Sequence, residues 1–173
     1  AANEATSGDG GAVAASEGSR LALSRTTVAN NTAAGDGGAM RLTDGTSVVL
    51  SESSFERNVA QGDAGCFSMD AAGMVSDGTN RCVGNEAVTG NGGVTTLSNG
   101  ANFTWVGGDV VSGNAADEGG GGVVWYDHQT VTLPYAAVRG ESYTGGNRAF
   151  YGDVVASNPA SIVATHAGRA GKG

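Results

Sequence analysis

Three aspartates, Asp9, Asp36 and Asp63, recur at one constant step, and Asn91 takes the next place in the series. Carboxylates stacked at strand spacing repel one another unless water or a cation lies between them. Together with corner carbonyls they would suit calcium, and the same residue types also favour open turns for conformational reasons alone. Acid–base chemistry would need a carboxylate beside a base. The chain offers Asp127-His128 and a second imidazole at His166, while Arg41, Arg57, Arg81, Arg139 and Arg148 are scattered. There is no nucleophile motif, phosphate loop or metal-spaced cluster, so the expectation is a protein that is not an enzyme and takes no cofactor. Trp105 and Trp125 are candidates for stacking on a sugar ring or a partner chain. Cys66 and Cys82 could form a disulfide suited to an extracellular protein or serve equally well as two small buried thiols. The sequons Asn30-Asn31-Thr32 and Asn102-Phe103-Thr104 make Asn30 and Asn102 candidate glycosylation sites.

Composition narrows the partners. The net charge is −8 with a single lysine, Lys172, and no basic cluster, which argues against nucleic acid and anionic membranes. The apolar runs are a few residues long, too short to insert directly into a membrane as a helix. Glycine is abundant, 31 of 173 residues, but 39% apolar residues and only 2 prolines exclude a disordered linker, collagen or polyproline. The chain starts with Ala1 in mid-pattern, as a mature or excised chain would.

The elements that position these residues follow from a repeat. Asn-x-Ala occurs at Asn3, Asn31, Asn58, Asn85, Asn114 and Asn147. The successive steps are 28, 27, 27, 29 and 33. A small-residue pair follows each time, Gly10-Gly11, Gly37-Gly38, Ala64-Gly65, Gly92-Gly93 and Gly121-Gly122, with Tyr151-Gly152 in the last copy. Three residues before the internal asparagines stand Val28, Phe55, Cys82 and Val111, with Thr144 in the last copy. After each pair, apolar residues recur two apart (Met40 and Leu42, Phe67 and Met69), which places them on one face of a strand. Later runs at Leu21–Leu23, Val48–Leu50, Phe103–Trp105 and Val131–Leu133 are also strand-length. No window carries a helical stripe, and each glycine inside a helix would cost about 1 kcal/mol. The pattern predicts an all-β, right-handed parallel β-helix of about six coils with three short strands per repeat. Residues 1–140 form the coils, and 141–173 the last irregular coil and a C-terminal cap. Asn3, Asn31, Asn58, Asn85, Asn114 and Asn147 are expected to stack as a structural amide ladder at a corner where positive φ is tolerated.

Gly37-Gly38-Ala39-Met40 followed by Phe55-Glu56-Arg57-Asn58 resembles the paired GGA(I/L/V) and FxxN motifs of chlamydial polymorphic outer membrane proteins. Similar repeats occur in large extracellular proteins of algae and protists, and residues 147–157 resemble the last coil of such arrays. The likeness covers roughly residues 3–157. FxxN is intact only once, and one glycine pair reads Ala64-Gly65. The resemblance implies a surface-exposed β-helix used for adhesion or as a stalk. The GDGGA segments also look like calcium-binding nonapeptide repeats, but here the motif comes once per coil rather than every nine residues. The functional expectation is a non-catalytic structural or adhesive segment of a cell-surface or filament glycoprotein. Its expected partners are other subunits, or further segments of its own chain, at the N-terminal coil, and glycans. The alternative is a carbohydrate-binding or polysaccharide-cleaving β-helix.

Overall fold

The computed structural model describes residues 2–77, 79–104, 109–127, 131–134, 145–158 and 162–165. All regular elements in these residues are β-strands, and they pair in parallel with their equivalents one repeat away. Each full turn carries four strands, one to each of four sheets that run along the stack. Sheet A holds the Asn-x-Ala segments: Glu4–Ala5, Thr32–Ala33, Val59–Ala60, Glu86–Ala87, Ala115–Gly120 and Arg148–Tyr151. Sheet B follows the glycine pairs, with Val13–Ala15, Met40–Leu42, Phe67–Asp70, Thr95–Ser98, Val124–Asp127 and Val155–Asn158. Sheet C contains Arg20–Ser24, Ser47–Ser51, Gly73–Ser76 and Asn102–Thr104; sheet D contains Thr27–Ala29, Ser54–Glu56, Arg81–Val83 and Val110–Ser112. Val131–Pro134 pairs with Ile162–Thr165 as a fifth, two-stranded sheet.

The chain is therefore a parallel β-solenoid of about five turns with a repeat near 27 residues. Among the described residues the sixth copy supplies Arg148–Tyr151, Val155–Asn158 and Ile162–Thr165. Three strands per repeat were expected and four are present. The additional one is the Asn-x-Ala segment itself, mostly two residues long and too short to show alternation. Its alanine points inward, and Ala33, Ala60, Ala87 and Ala116 are fully buried.

The core is one file of side chains. Inward slots two apart on sheets B and C carry Met40, Leu42, Phe67, Met69, Val48, Leu50 and Met74, all buried. Sheet D contributes Phe55, Cys82 and Val111 one layer apart. Phe55 meets Phe67 edge to face with ring centres 4.8 Å apart, and Phe67 meets Phe103 at 5.7 Å, a geometry aromatic rings favour.

The two residues of the glycine pair do different work. The first has positive φ at Gly10, Gly37, Gly92 and Gly121, and Ala64 takes the same conformation at 59°. In the last copy Gly152 takes it, and since Val124 pairs with Val155 the pair there is Gly152-Asp153 rather than the expected Tyr151-Gly152. The second sits against the next coil: a Cβ on Gly11, Gly38, Gly65, Gly93 or Gly122 would lie 2.2–2.3 Å from that coil's carbonyl oxygen. At the asparagine corner the positive φ belongs to the residue before the ladder asparagine, namely Asn30, Arg57, Gly84, Gly113 and Gly146. The ladder asparagines themselves keep ordinary backbone conformations, contrary to the expectation that Asn was placed there to tolerate positive φ.

Phe55 is wholly enclosed, so Phe55→Ala should lower the unfolding free energy by about 3–5 kcal/mol, read from denaturant or thermal unfolding. A shift below about 1 kcal/mol would mean that the slot refills or faces water.

Candidate functional site

Three columns of polar side chains run along the stack. In the first, the backbone N–H of each ladder asparagine donates to Oδ1 of the asparagine one coil on, at 2.9–3.1 Å from Asn3 through Asn147. Its Nδ2 donates to the same Oδ1 at 2.8–3.0 Å. The second amide hydrogen reaches a sheet D carbonyl of the preceding coil: Asn58 to Val28, Asn85 to Phe55, Asn114 to Cys82 and Asn147 to Val111, at 2.9–3.2 Å. Asn58, Asn85 and Asn114 thus use both donors and both acceptor positions of the primary amide, and all three are fully buried.

The aspartate series forms a second column with opposite polarity. Asp36 N–H donates back to Oδ1 of Asp9, Asp63 N–H to Asp36, Asn91 N–H to Asp63 and Gly120 N–H to Asn91, all at 2.7–2.9 Å. One oxygen of each carboxylate, Oδ1, is therefore engaged with a backbone N–H group. Among the described residues no group of three or more His, Cys, Asp or Glu is placed to hold a metal ion. The residue before each column member is small for a steric reason: a Cβ on Gly35, Gly62 or Gly90 would fall 2.1–2.4 Å from the preceding coil's carboxylate oxygen. The recurrent Gly-Asp and Gly-Asn dipeptides were the legible signal for this column.

A third column was not anticipated. Thr26 N–H donates to Ser53 Oγ, Ser53 N–H to Asn80 Oδ1 and Asn80 N–H to Asp109 Oδ1, at 2.7–3.1 Å. Ser76 donates its hydroxyl to the other oxygen of Asp109. These residues lie just before sheet D, and their steps of 27, 27 and 29 follow the repeat. The column was hidden because four different residue types share the slot.

Cys66 and Cys82 are both free and buried, which corrects the disulfide option in favour of two core thiols. Burial pushes both thiols up; Cys82 adds to the rise at Cys66, and the Asp109 charge adds to that at Cys82. Neither is a thiolate nucleophile. Trp125 occupies an outward slot of sheet B, paired with Thr96, yet it is only 3% exposed. Tyr151 covers it edge to face, ring centres 6.0 Å apart, so it is not available for stacking on a sugar. Trp105, His128 and His166 lie outside the described residues. Asn30 and Asn102 are both exposed; the Asn30 side-chain oxygen accepts Arg57 Nε–H at 3.0 Å, and Asn102 lies on the outer face of sheet C.

The outer face of sheet B forms a groove of about 280 Å³ lined by Asp36, Asp63, Asp70, Asp127, Arg41, Ser68, Thr96, Ser98 and Asn99. Its floor is the outward column Arg41, Ser68 and Thr96. Arg41 donates to Ser68 Oγ and lies 3.7 Å from Asp9, and Asn99 donates to Asp70 at 2.7 Å. Burial, followed by the charges of Asp63 and Asp9, raises the Asp36 carboxyl above its ordinary range, although the Asp63 N–H and Arg41 oppose the rise. No helix among the described residues is long and apolar enough to cross a membrane.

The fold and these columns define a parallel β-solenoid whose coils are joined by asparagine and aspartate ladders. Comparison of the chain with protein-family models, curated proteins and solved structures gave no match.

Asn58→Ala would leave the Asn31 N–H and amide without their acceptor, Oδ1 of Asn85 with only the backbone N–H of its two donors, and the Val28 carbonyl without the amide hydrogen it accepts. It should cost about 3 kcal/mol or more, whereas the exposed Asn102→Ala should stay within about 0.5 kcal/mol; chemical denaturation of the two variants checks this.

Asp36→Asn keeps an acceptor for the Asp63 N–H, as Asn91 does for Gly120, and removes the charge. A carboxyl raised in the folded state binds its proton more tightly there than in the unfolded chain. Its contribution is fully present below about pH 3.8 and is lost as pH rises through the raised folded value. The stability of Asp36→Asn relative to the wild type should therefore climb across that window, in melting curves taken from pH 3 to pH 7.

Proposed function

We propose that this chain is a non-catalytic structural and adhesive β-solenoid, a segment of a cell-surface or filament glycoprotein that works outside the cell. The observation that carries this reading is where the repeated polar residues are spent. Asparagines and aspartates that could have served a metal or a reaction are instead used coil after coil on neighbouring backbone. Surface placement is supported by the likeness of Gly37-Gly38-Ala39-Met40 and Phe55-Glu56-Arg57-Asn58 to polymorphic outer membrane protein repeats, and by the exposure of Asn30 and Asn102. Contact with other subunits or further coils is assigned to the first coil.

One observation favours a second reading, a carbohydrate-binding surface. The sheet B groove gathers carboxylates, an arginine and hydroxyls from neighbouring coils, groups that pair with sugar hydroxyls. Its weakness is the sealing of Trp125.

The test combines a polysaccharide panel with two assays, reducing-end release and equilibrium binding, on the wild type and on Asp70→Ala and Asp127→Ala. The structural reading expects no release of reducing ends and unchanged attachment of the variants to cell surfaces. Release that disappears in Asp127→Ala with the melting temperature retained would overturn it. Binding without release that disappears in Asp70→Ala would establish the second reading.

A further inference from the structure

The two ends of the stack differ. In the first coil the inward residues Val13, Ala15, Leu21, Leu23 and Val28 are only half-buried, whereas their neighbours Met40, Leu42, Val48, Leu50 and Phe55 are at most 2% exposed. Both ladders are also open there. Among the described residues Oδ1 of Asn3 receives no donor, whereas Oδ1 of every later ladder asparagine receives two. The Asp9 N–H finds no acceptor among them, whereas the N–H groups of Asp36, Asp63 and Asn91 each do. The opposite end carries an obstruction. Val124 pairs with Val155, so Asp153 stands in the column of Gly11, Gly38, Gly65, Gly93 and Gly122. Every glycine of that column has no room for a Cβ against the next coil's carbonyl, and Asp153 has one. The aspartate ladder also stops before it: Gly120 has no side chain to offer, and Tyr151 lies over it.

We propose that the solenoid can be extended at one end only. The first coil is a docking surface for one further coil of the same repeat, and Asp153 bars the opposite face of a second copy from being that coil. This deepens the structural reading above by naming the partner's chemistry. The docking coil presents an asparagine N–H and amide over Asn3, a carboxylate or amide oxygen over the Asp9 N–H, and glycine where this chain has Asp153. The occupant follows from continuity with the interface already repeated between coils, since no other shape meets the parallel edges and both ladder polarities at once. Charge does not decide between the ends: Arg148 would come to lie beside Glu4 in a head-to-tail pair and would favour it, so the block is steric.

Two measurements test this on the full chain. In the first, a second copy of residues 31–57 is fused ahead of Asn3, with a control in which the added copy carries Asn31→Ala and Asp36→Ala. Amides of Val13–Ala15 and Arg20–Ser24 should exchange roughly tenfold more slowly in the fusion and not in the control. Equal exchange in all three chains, or equal slowing by the control, overturns the docking surface. In the second, sedimentation is followed with rising concentration for the wild type, Asp153→Ala and Asp153→Gly. The wild type and Asp153→Ala should stay monomeric, because both keep a Cβ, and Asp153→Gly should associate. Association of the wild type, or a monomeric Asp153→Gly, overturns the closure. Neither measurement depends on adhesion, so a failure of the surface role would leave these results standing, and the reverse.

Discussion

A buried primary amide has two donors and two acceptor positions to satisfy, and in a stack of coils only the coils above and below can supply partners. Asn58 meets that requirement with Asn31 and Val28 on one side and Asn85 on the other. Every coil is thereby tied to its neighbours at one fixed point. Other corners can vary as long as this point is kept. The last step of the repeat is 33 rather than 27, yet Asn114 still donates to Asn147 at 2.8 Å. Extra length is taken up between the ladder positions, and the apolar file stays in register because sheets A and B start from the ladder. Stability in such a molecule is a sum over neighbouring coils, so the loss of one amide is felt by two interfaces.

The aspartate ladder answers the same need at the next corner with a different electrostatic cost. A carboxylate accepting a backbone N–H makes a strong hydrogen bond, but a file of carboxylates one strand spacing apart repels itself. The chain limits that repulsion. Arg41 lies beside Asp9, the column changes to Asn91, and it ends at Gly120, whose N–H is the last donor. The rise at Asp36 comes first from burial and then from the neighbouring charges of Asp63 and Asp9. The asparagine ladder carries no charge and so can be buried completely, whereas the aspartate ladder stays partly open to water at the rim of the groove.

What was legible in the sequence was whatever recurs in residue type. The Asn-x-Ala step, the glycine pairs and the inward slots of sheets B, C and D revealed the parallel stack and its repeat. Strands too short to alternate did not show: sheet A was read as a corner although its alanines face the core. Positive φ was hard to place because Glu52, Arg57 and Ala64 adopt it without the glycine that normally marks it. The column Thr26, Ser53, Asn80, Asp109 escaped because the slot asks only for a side-chain oxygen, which four residue types supply. Trp125, a candidate for stacking by residue type, lies on the outer face of its strand but is buried. Facing is set by alternation within its own strand, but its burial depends on Tyr151, which belongs to the next copy of the repeat.

The same distinction separates scaffold from surface. The asparagine ladder and the glycine pairs repeat almost without change, because each must satisfy a near-identical neighbour, and the third column varies only among side chains that carry an oxygen. The outward column of sheet B, from Ala14 through Arg41, Ser68, Thr96 and Trp125 to Ala156, holds a different residue in nearly every coil. Its side chains carry none of the ladder bonds, so the stack tolerates charge, hydroxyl or aromatic there equally. The walls of that face are nevertheless held rigidly, one of them by the aspartate ladder. A variable floor between fixed walls is how a repeat scaffold acquires a specific surface without altering its fold. Selectivity for a ligand can therefore be written in this column at little cost to stability. The carboxylates of the ladder contribute to the groove chiefly through their field and their second oxygens.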